Sequence, residues 1–206
     1  MNQIALPLLW PADAAAHDFI LSPTNTDAVR HLDHLALWPV MATVLVGPRK
    51  SGRSLLGRIF AAQSGGTLID AADRQSEEDL FHAWNRAQSD RRPLLMIADQ
   101  PTPLWSPTLP DLKSRLAATP VVTLGHPDDA LATALLHKEL GARGLALPPA
   151  VATYVLARID RTHVAIARIV DALDTAALVR QRGLTVPLAR DALAACGFID
   201  ESSDIG

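Results

Sequence analysis

Thr43-Val44-Leu45-Val46-Gly47-Pro48-Arg49-Lys50-Ser51-Gly52-Arg53-Ser54-Leu55-Leu56 decides the fold. The first four residues form an apolar, β-branched run of the kind that makes a buried strand. Gly47 ends that run. Beyond Gly52, the apolar residues Leu55, Leu56, Ile59 and Phe60 recur at helical spacing. Strand, glycine loop and helix therefore follow one another directly. The spacing Gly47-x4-Gly52-Arg53-Ser54 fits a phosphate-binding loop. Such a loop needs glycines so that backbone N–H groups can reach phosphate oxygens, a cation for the β- and γ-phosphates, and a hydroxyl for magnesium. Arg53 stands where lysine is usual; it keeps the charge but places it through a larger, forked group. The competing reading is a plain glycine turn flanked by surface cations.

The same alternation continues on both sides. Upstream, a helix is expected from about residue 24, capped by Asn25 or Thr26, with Val29, Leu32 and Leu35 or Ala36 on one face. Downstream, Thr67–Asp70 reads as a strand with a carboxylate at its end. Glu77–Gln88 reads as a helix with Leu80, Phe81, Trp84 and Ala87 inward, and Pro93–Asp99 as a strand ending in a second acid. A proline-rich loop leads to the segment 109–116, then to a fourth strand over Thr119–Leu124. Alternating strands and helices predict a parallel sheet covered on both faces. After Pro127 the pattern is purely helical. Leu131, Leu135 and Leu136 mark one helix. Val151, Tyr154, Val155 and Ile159 mark a second, opened by Pro148; Ile166, Ile169, Val170, Leu173 and Ala177 mark a third; and Thr185 caps a last one.

Composition narrows the function. The 206 residues suit one domain with a small appendage, and the apolar fraction of 49% supports a packed core. The net charge of −3 gives no support to DNA-backbone binding as the main task. The single cysteine, Cys196, cannot form a disulfide within the chain, which fits a cytoplasmic setting; it reads as a small packing residue before it reads as a nucleophile. The N-terminus lacks the basic start of a signal peptide, and no apolar stretch approaches the ~20 residues that span a bilayer, so no membrane partner is expected. The apolar, proline-broken run Gln3-Ile4-Ala5-Leu6-Pro7-Leu8 reads as an extended tail that docks on its own body or on a partner.

Four further groups are candidates for chemistry. Asp70 and Asp99 sit at strand ends, where doubly wound sheets bind ligands and where acids hold magnesium or orient water. Capping of the following helices is the simpler role for both. Asp70-Ala71-Ala72-Asp73 could be a degenerate magnesium motif. Arg115 is either a solvated arginine or one presented across an interface to phosphoryl-transfer charge. His31 and His34 share a helix face without a third ligand, so they read as solvated helix residues rather than a zinc pair.

With these residues in view, the chain resembles the Hda (HdaA) family of DnaA-related AAA+ regulators, which act in regulatory inactivation of the replication initiator. The resemblance runs over nearly the whole chain. Gln3, Ile4, Ala5, Leu6, Pro7 and Leu8 are similar to the family's clamp-binding motif, and Gly47, Pro48, Arg49, Lys50, Ser51, Gly52, Arg53 and Ser54 to its phosphate loop. Leu94–Asp99 resembles the sensor-1 strand, and Leu109-Pro110-Asp111-Leu112-Lys113-Ser114-Arg115-Leu116 resembles box VII, with Arg115 on the arginine-finger position.

The resemblance implies an α/β fold: an AAA+ P-loop parallel sheet followed by a small α-helical lid. The expected domains are a clamp-binding tail over 1–12, the nucleotide-binding domain over 13–127, the lid over 128–200 and a short tail over 201–206. It implies ADP or ATP with Mg²⁺ as cofactor. It also implies the DNA polymerase III β sliding clamp and DnaA as partners, and leaves a homodimer open. It implies a negative regulator of replication initiation with weak or no ATPase of its own. An autonomous P-loop ATPase and a nucleotide-independent clamp adaptor are the alternatives. Sequence-specific DNA binding is not expected, since the initiator's DNA-binding domain has no counterpart after the lid. Truncating one buried leucine of the tail would cost ~2–4 kcal/mol, enough to abolish micromolar binding.

Two departures bear on catalysis. Four strands are legible where five are usual, so the sheet is read as reduced by one βα unit, and the strand ending at Asp70 is either the magnesium-binding strand or that strand is missing. The expected sensor-2 arginine falls on Val164, with Arg161 and Arg168 nearby.

Overall fold

The structure is a computed structural model that describes residues 18–199. The clamp-like motif Gln3–Leu8 and the C-terminal tail over 201–206 lie outside the described residues. The chain runs α1 (Thr26–Asp33), β1 (Ala42–Val46), α2 (Arg53–Ser64), β2 (Thr67–Ile69), α3 (Glu77–Asp90), β3 (Leu94–Ile97), α4 (Pro110–Ala118) and β4 (Val121–Thr123), and then α5 (Asp129–Ala142), α6 (Pro149–Leu156), α7 (His163–Arg180) and α8 (Val186–Ala195). Every element expected from periodicity is present.

The four strands form one parallel sheet in the order β2-β3-β1-β4. β1 and β3 are central and buried at every position, as strands covered on both faces must be. Alternation sorts their side chains: Leu45, Leu95 and Ile97 pack with α1 and α2, whereas Val44, Val46, Leu94 and Met96 pack with α3 and α4. Gly57 lets α2 lie close to the sheet, since a Cβ there would stand 2.8 Å from both Ile97 Cδ1 and Leu68 Cδ1. The edge strands β2 and β4 have three residues each, too short to template further pairing.

The last four helices enclose a separate core built on Leu136, Leu140, Val155, Ile169, Leu173 and Leu193. The start of α8 is capped as the sequence predicts, Thr185 accepting from the Leu188 N–H; α5 and α7 are capped in the same way by Asp128 and Thr162, which accept from the Leu131 and Ala165 N–H groups. Tyr154 differs: it is half-buried, with the Arg158 guanidinium 3.8 Å over its ring.

His31 departs from expectation. It is not a solvated helix residue but half-buried, stacked on Trp38 at 5.2 Å, with Trp38 in turn stacked on Phe60 at 5.7 Å. Its Nε2 hydrogen-bonds Thr43 Oγ1 at 3.0 Å. The reason lies in the turn after α1: the chain folds back through Leu35–Leu37, and Trp38 Nε1 donates to the His31 carbonyl at 2.8 Å. His34 is exposed, as expected, so the pair does not converge. Among the described residues no group of three or more His, Cys, Asp or Glu is placed to hold a metal. No helix among them is long and apolar enough to cross a membrane.

Candidate nucleotide site

The glycine loop leaves the carboxyl end of the central strand β1, the edge at which open parallel sheets bind ligands. Two of its residues have left-handed backbone, Lys50 (φ 63°) and Gly52 (φ 87°). Gly52 is needed twice over: a Cβ there would be strained by that φ and would meet the Phe19 ring at 3.2 Å. Gly47 is constrained by approach alone, with Leu124 Cβ 2.9 Å from the position of a Cβ. The segment entering the domain therefore crosses the loop at Phe19, and its Asp18 is paired with Lys138 of α5 at 3.3 Å.

α2 begins at the loop and points Arg53 and Ser54 along the strand ends. Ser54 Oγ donates to Asp70 Oδ2 at 2.7 Å. In P-loop nucleoside triphosphatases the corresponding hydroxyl and a strand-end aspartate hold magnesium between them. The residues present thus fit a Mg²⁺ ion, with Ser54 and Asp70 as its donors. Asp70 and Asp73 do not act together: Ala71 takes left-handed backbone (φ 50°), the chain turns, and Asp73 Oδ2 instead accepts the Asp99 N–H at 3.1 Å.

Arg53 turns toward β3. Its guanidinium donates to the Ala98 carbonyl, and its Nη2 meets Asp99 Oδ1 at 2.8 Å. Arg74 reaches the other oxygen, Asp99 Oδ2, at 2.5 Å. The Arg53 hydrogen bond and the charges of Arg53, Arg74 and Arg49 hold the Asp99 carboxyl below the usual carboxylate range, against a smaller opposing desolvation. Arg49, Lys50, Arg53, Asp70, Arg74 and Asp99 line a cleft of about 340 Å³. Arg74 is the site residue that sequence reasoning missed; no motif marks it, and only the turn after β2 brings it in.

The lid supplies no arginine to this cleft. Val164, on the sensor-2 position, is 41% exposed. Arg161 is used within the lid, bonding Asp129 at 2.5 Å and the Leu156 and Ile159 carbonyls. Arg168 bonds the Cys196 carbonyl at 2.8 Å and lies over Phe198. Beside Val164, His163 is buried, with an Nδ1 that has no hydrogen-bond partner. Burial and then the charge of His126 push its pKa down to about 4. Burial lowers that of His31 as well. Both are neutral in the folded protein at pH 7. The unfolded chain takes up these protons below about pH 6.5 while the folded chain resists them, so their contribution is complete above that pH and is lost as pH falls, toward 4 in the case of His163. Urea melts at pH 7 and pH 5 should show a lower midpoint at pH 5, and a smaller drop in His163→Gln; an equal drop in the variant would remove His163 as a source.

Arg115 lies on α4, away from the cleft lining. Its guanidinium carbon is 4.4 Å from the Phe81 ring centroid and 5.4 Å from that of Trp84. Its Nε donates to Asn85 Oδ1 at 2.8 Å and its Nη1 to the Asp111 carbonyl at 3.1 Å. Phe81 and Trp84 face inward as read, packing against the core beneath α3 and α4, and their half-buried rings also carry this arginine.

A parallel sheet with a glycine loop on its central strand and a four-helix appendage is the AAA+ fold with its lid. Residues 129–193 match the family model described as Hda, lid domain. Domain III of the Thermotoga maritima replication initiation protein DnaA superposes with a TM-score of 0.73 at 16% identity, covering 89% of this chain and 96% of that one. The replication initiator DnaA bound to AMPPCP and single-stranded DNA gives 0.64 at 14% identity, over 92% and 69%. The Thermotoga maritima RuvB Holliday junction branch migration motor gives 0.67 at 15%, over 90% and 72%. The family model covers the lid alone, and the structural likenesses, at 14–16% identity, show that the chain has the AAA+ fold of the DnaA and RuvB domains.

Proposed function

We propose that this chain is a DnaA-related regulator of replication initiation that holds ADP or ATP as a structural ligand, binds the sliding clamp through Gln3–Leu8, and promotes ATP hydrolysis by DnaA through Arg115. The observation that carries the reading is an Hda-type lid joined to a phosphate cleft to which that lid offers no arginine. Ser54 and Asp70 would hold the magnesium; Arg53, Arg49 and Lys50 would face the phosphates. Without a lid arginine to take up developing charge, the site favours retention of nucleotide over turnover.

The clamp assignment rests on the sequence of the tail. An extended Gln-x-x-Leu peptide would bury Leu6 and Leu8 in an apolar pocket while Gln3 fixes its orientation. The deciding experiment is a pull-down on sliding clamp comparing wild type with Gln3→Ala/Leu6→Ala. A loss of at least tenfold in retained protein is expected, since one buried leucine alone is worth ~2–4 kcal/mol. Equal retention would remove the clamp as a partner.

A further inference from the structure

We infer that Asp99 is a built-in stand-in for a phosphate group and that Arg74 is a phosphate-contacting residue of the nucleotide site. The inference rests on the reading of this cleft as a nucleotide site and goes beyond it by naming a residue outside every motif.

Three arginines from three parts of the chain surround one carboxylate: Arg49 from the loop, Arg53 from the start of α2 and Arg74 from the turn after β2. Arg53 and Arg74 each take one of its two oxygens. A guanidinium fork matches carboxylate and phosphate with the same geometry. An arrangement that grips Asp99 from both sides is thus already shaped for a larger anion. The cleft wall carries four cations, Arg49, Lys50, Arg53 and Arg74, against the two carboxylates Asp70 and Asp99. Asp70 is already engaged by Ser54 Oγ and by the Ala71 N–H. Asp73, behind the wall, is engaged by the Asp99 N–H. Swinging Asp99 aside would leave Arg53 and Arg74 facing the cleft with no other carboxylate on them.

Exposure differs among the three partners in the direction the exchange requires. The Arg53 side chain is 13% exposed and fixed by the Ala98 carbonyl, whereas those of Asp99 and Arg74 are 43% and 71% exposed. Ion pairs this exposed are weak and exchange partners readily. The turn that carries Arg74 requires left-handed backbone at Ala71, a non-glycine residue, and such strained positions persist where the surrounding structure enforces them. An incoming phosphate therefore takes both forks from Asp99, and Asp99 acts against nucleotide binding.

The test is titration calorimetry of wild type, Arg74→Ala, Asp99→Asn and the double variant with ADP and, separately, with pyrophosphate, after melting curves show that each variant is folded. Arg74→Ala is expected to weaken both ligands about tenfold, the loss of one charge-assisted hydrogen bond. Asp99→Asn is expected to tighten both, and to tighten them less when Arg74 is already alanine. Unchanged affinity in Arg74→Ala, or weaker binding in Asp99→Asn, overturns the inference while wild-type ADP binding keeps the nucleotide reading. Arg74-dependent pyrophosphate binding without ADP binding keeps the inference and removes the nucleotide reading. Binding of neither ligand by wild type removes both.

Discussion

Arg115→Ala is expected to retain clamp binding and to reduce the stimulation of DnaA ATP hydrolysis by about 10³-fold or more, the scale on which an arginine supplied in trans acts on phosphoryl transfer. The surroundings of Arg115 suit the proposed role. Its guanidinium lies against Phe81 and Trp84 and is oriented by Asn85 and the Asp111 carbonyl, leaving Nη2 without a hydrogen bond among the described residues. A side chain ordered before docking loses less entropy on docking. Arg115→Lys keeps the charge but not the fork, so it should restore little. Phe81→Ala removes the platform and leaves the charge, so it should give an intermediate loss. Each cation–π contact at a surface is worth ~0.5–1 kcal/mol and each hydrogen bond ~0.5–1.5 kcal/mol, so Arg115→Ala, which loses two of each, should lower stability by about 2 kcal/mol and leave the fold intact. A reconstituted assay with clamp, DNA and DnaA checks the effect; undiminished stimulation would sink the finger assignment.

Arg53→Ala should have the second large effect, on this protein's own site. In the proposed nucleotide site Arg53 is the cation that would face the phosphates, and it is the most enclosed of the cleft's ion-paired arginines. Its loss should weaken ADP binding by about 100-fold, the upper range for hydrogen bonds to a charged group. Thermal stabilisation by ADP is the simplest readout. A ligand at 100 times its Kd stabilises by ~2.7 kcal/mol, and the same concentration at a Kd 100 times weaker stabilises by only ~0.4 kcal/mol. Arg53→Lys should recover much of the shift, since lysine is the usual residue at this position of such loops. An ADP-induced shift in Arg53→Ala equal to that of wild type would show that nucleotide does not use this loop.

Local patterns account for what could be read in advance. The strand 43–46, the glycines of the loop and the helix after them occupy consecutive positions, so their relation is set by short-range sterics and periodicity. The lid helices announced themselves by 3.6-residue spacing, by Pro148 at the start of α6 and by the cap Thr185 at the start of α8. Long-range partners were not legible. Asp99 meets Arg53 across 46 positions and Arg74 across 25. Nor did periodicity reveal that Arg161 and Arg168 serve the lid rather than the cleft, since that depends on which neighbouring helix each faces.

By itself the sequence determined the element types, the place of the glycine loop between β1 and α2, and the helical character of the lid. These follow from residue spacing and backbone sterics within a few positions. Tertiary structure alone decided the strand order β2-β3-β1-β4, which brings Asp70 to Ser54 and Asp99 to Arg53. It also decided the stacking of His31 and the position of Arg74. Those outcomes depend on how helices pack over a twisted sheet, where burial area and charge pairing between distant segments select one arrangement from many that the local pattern permits.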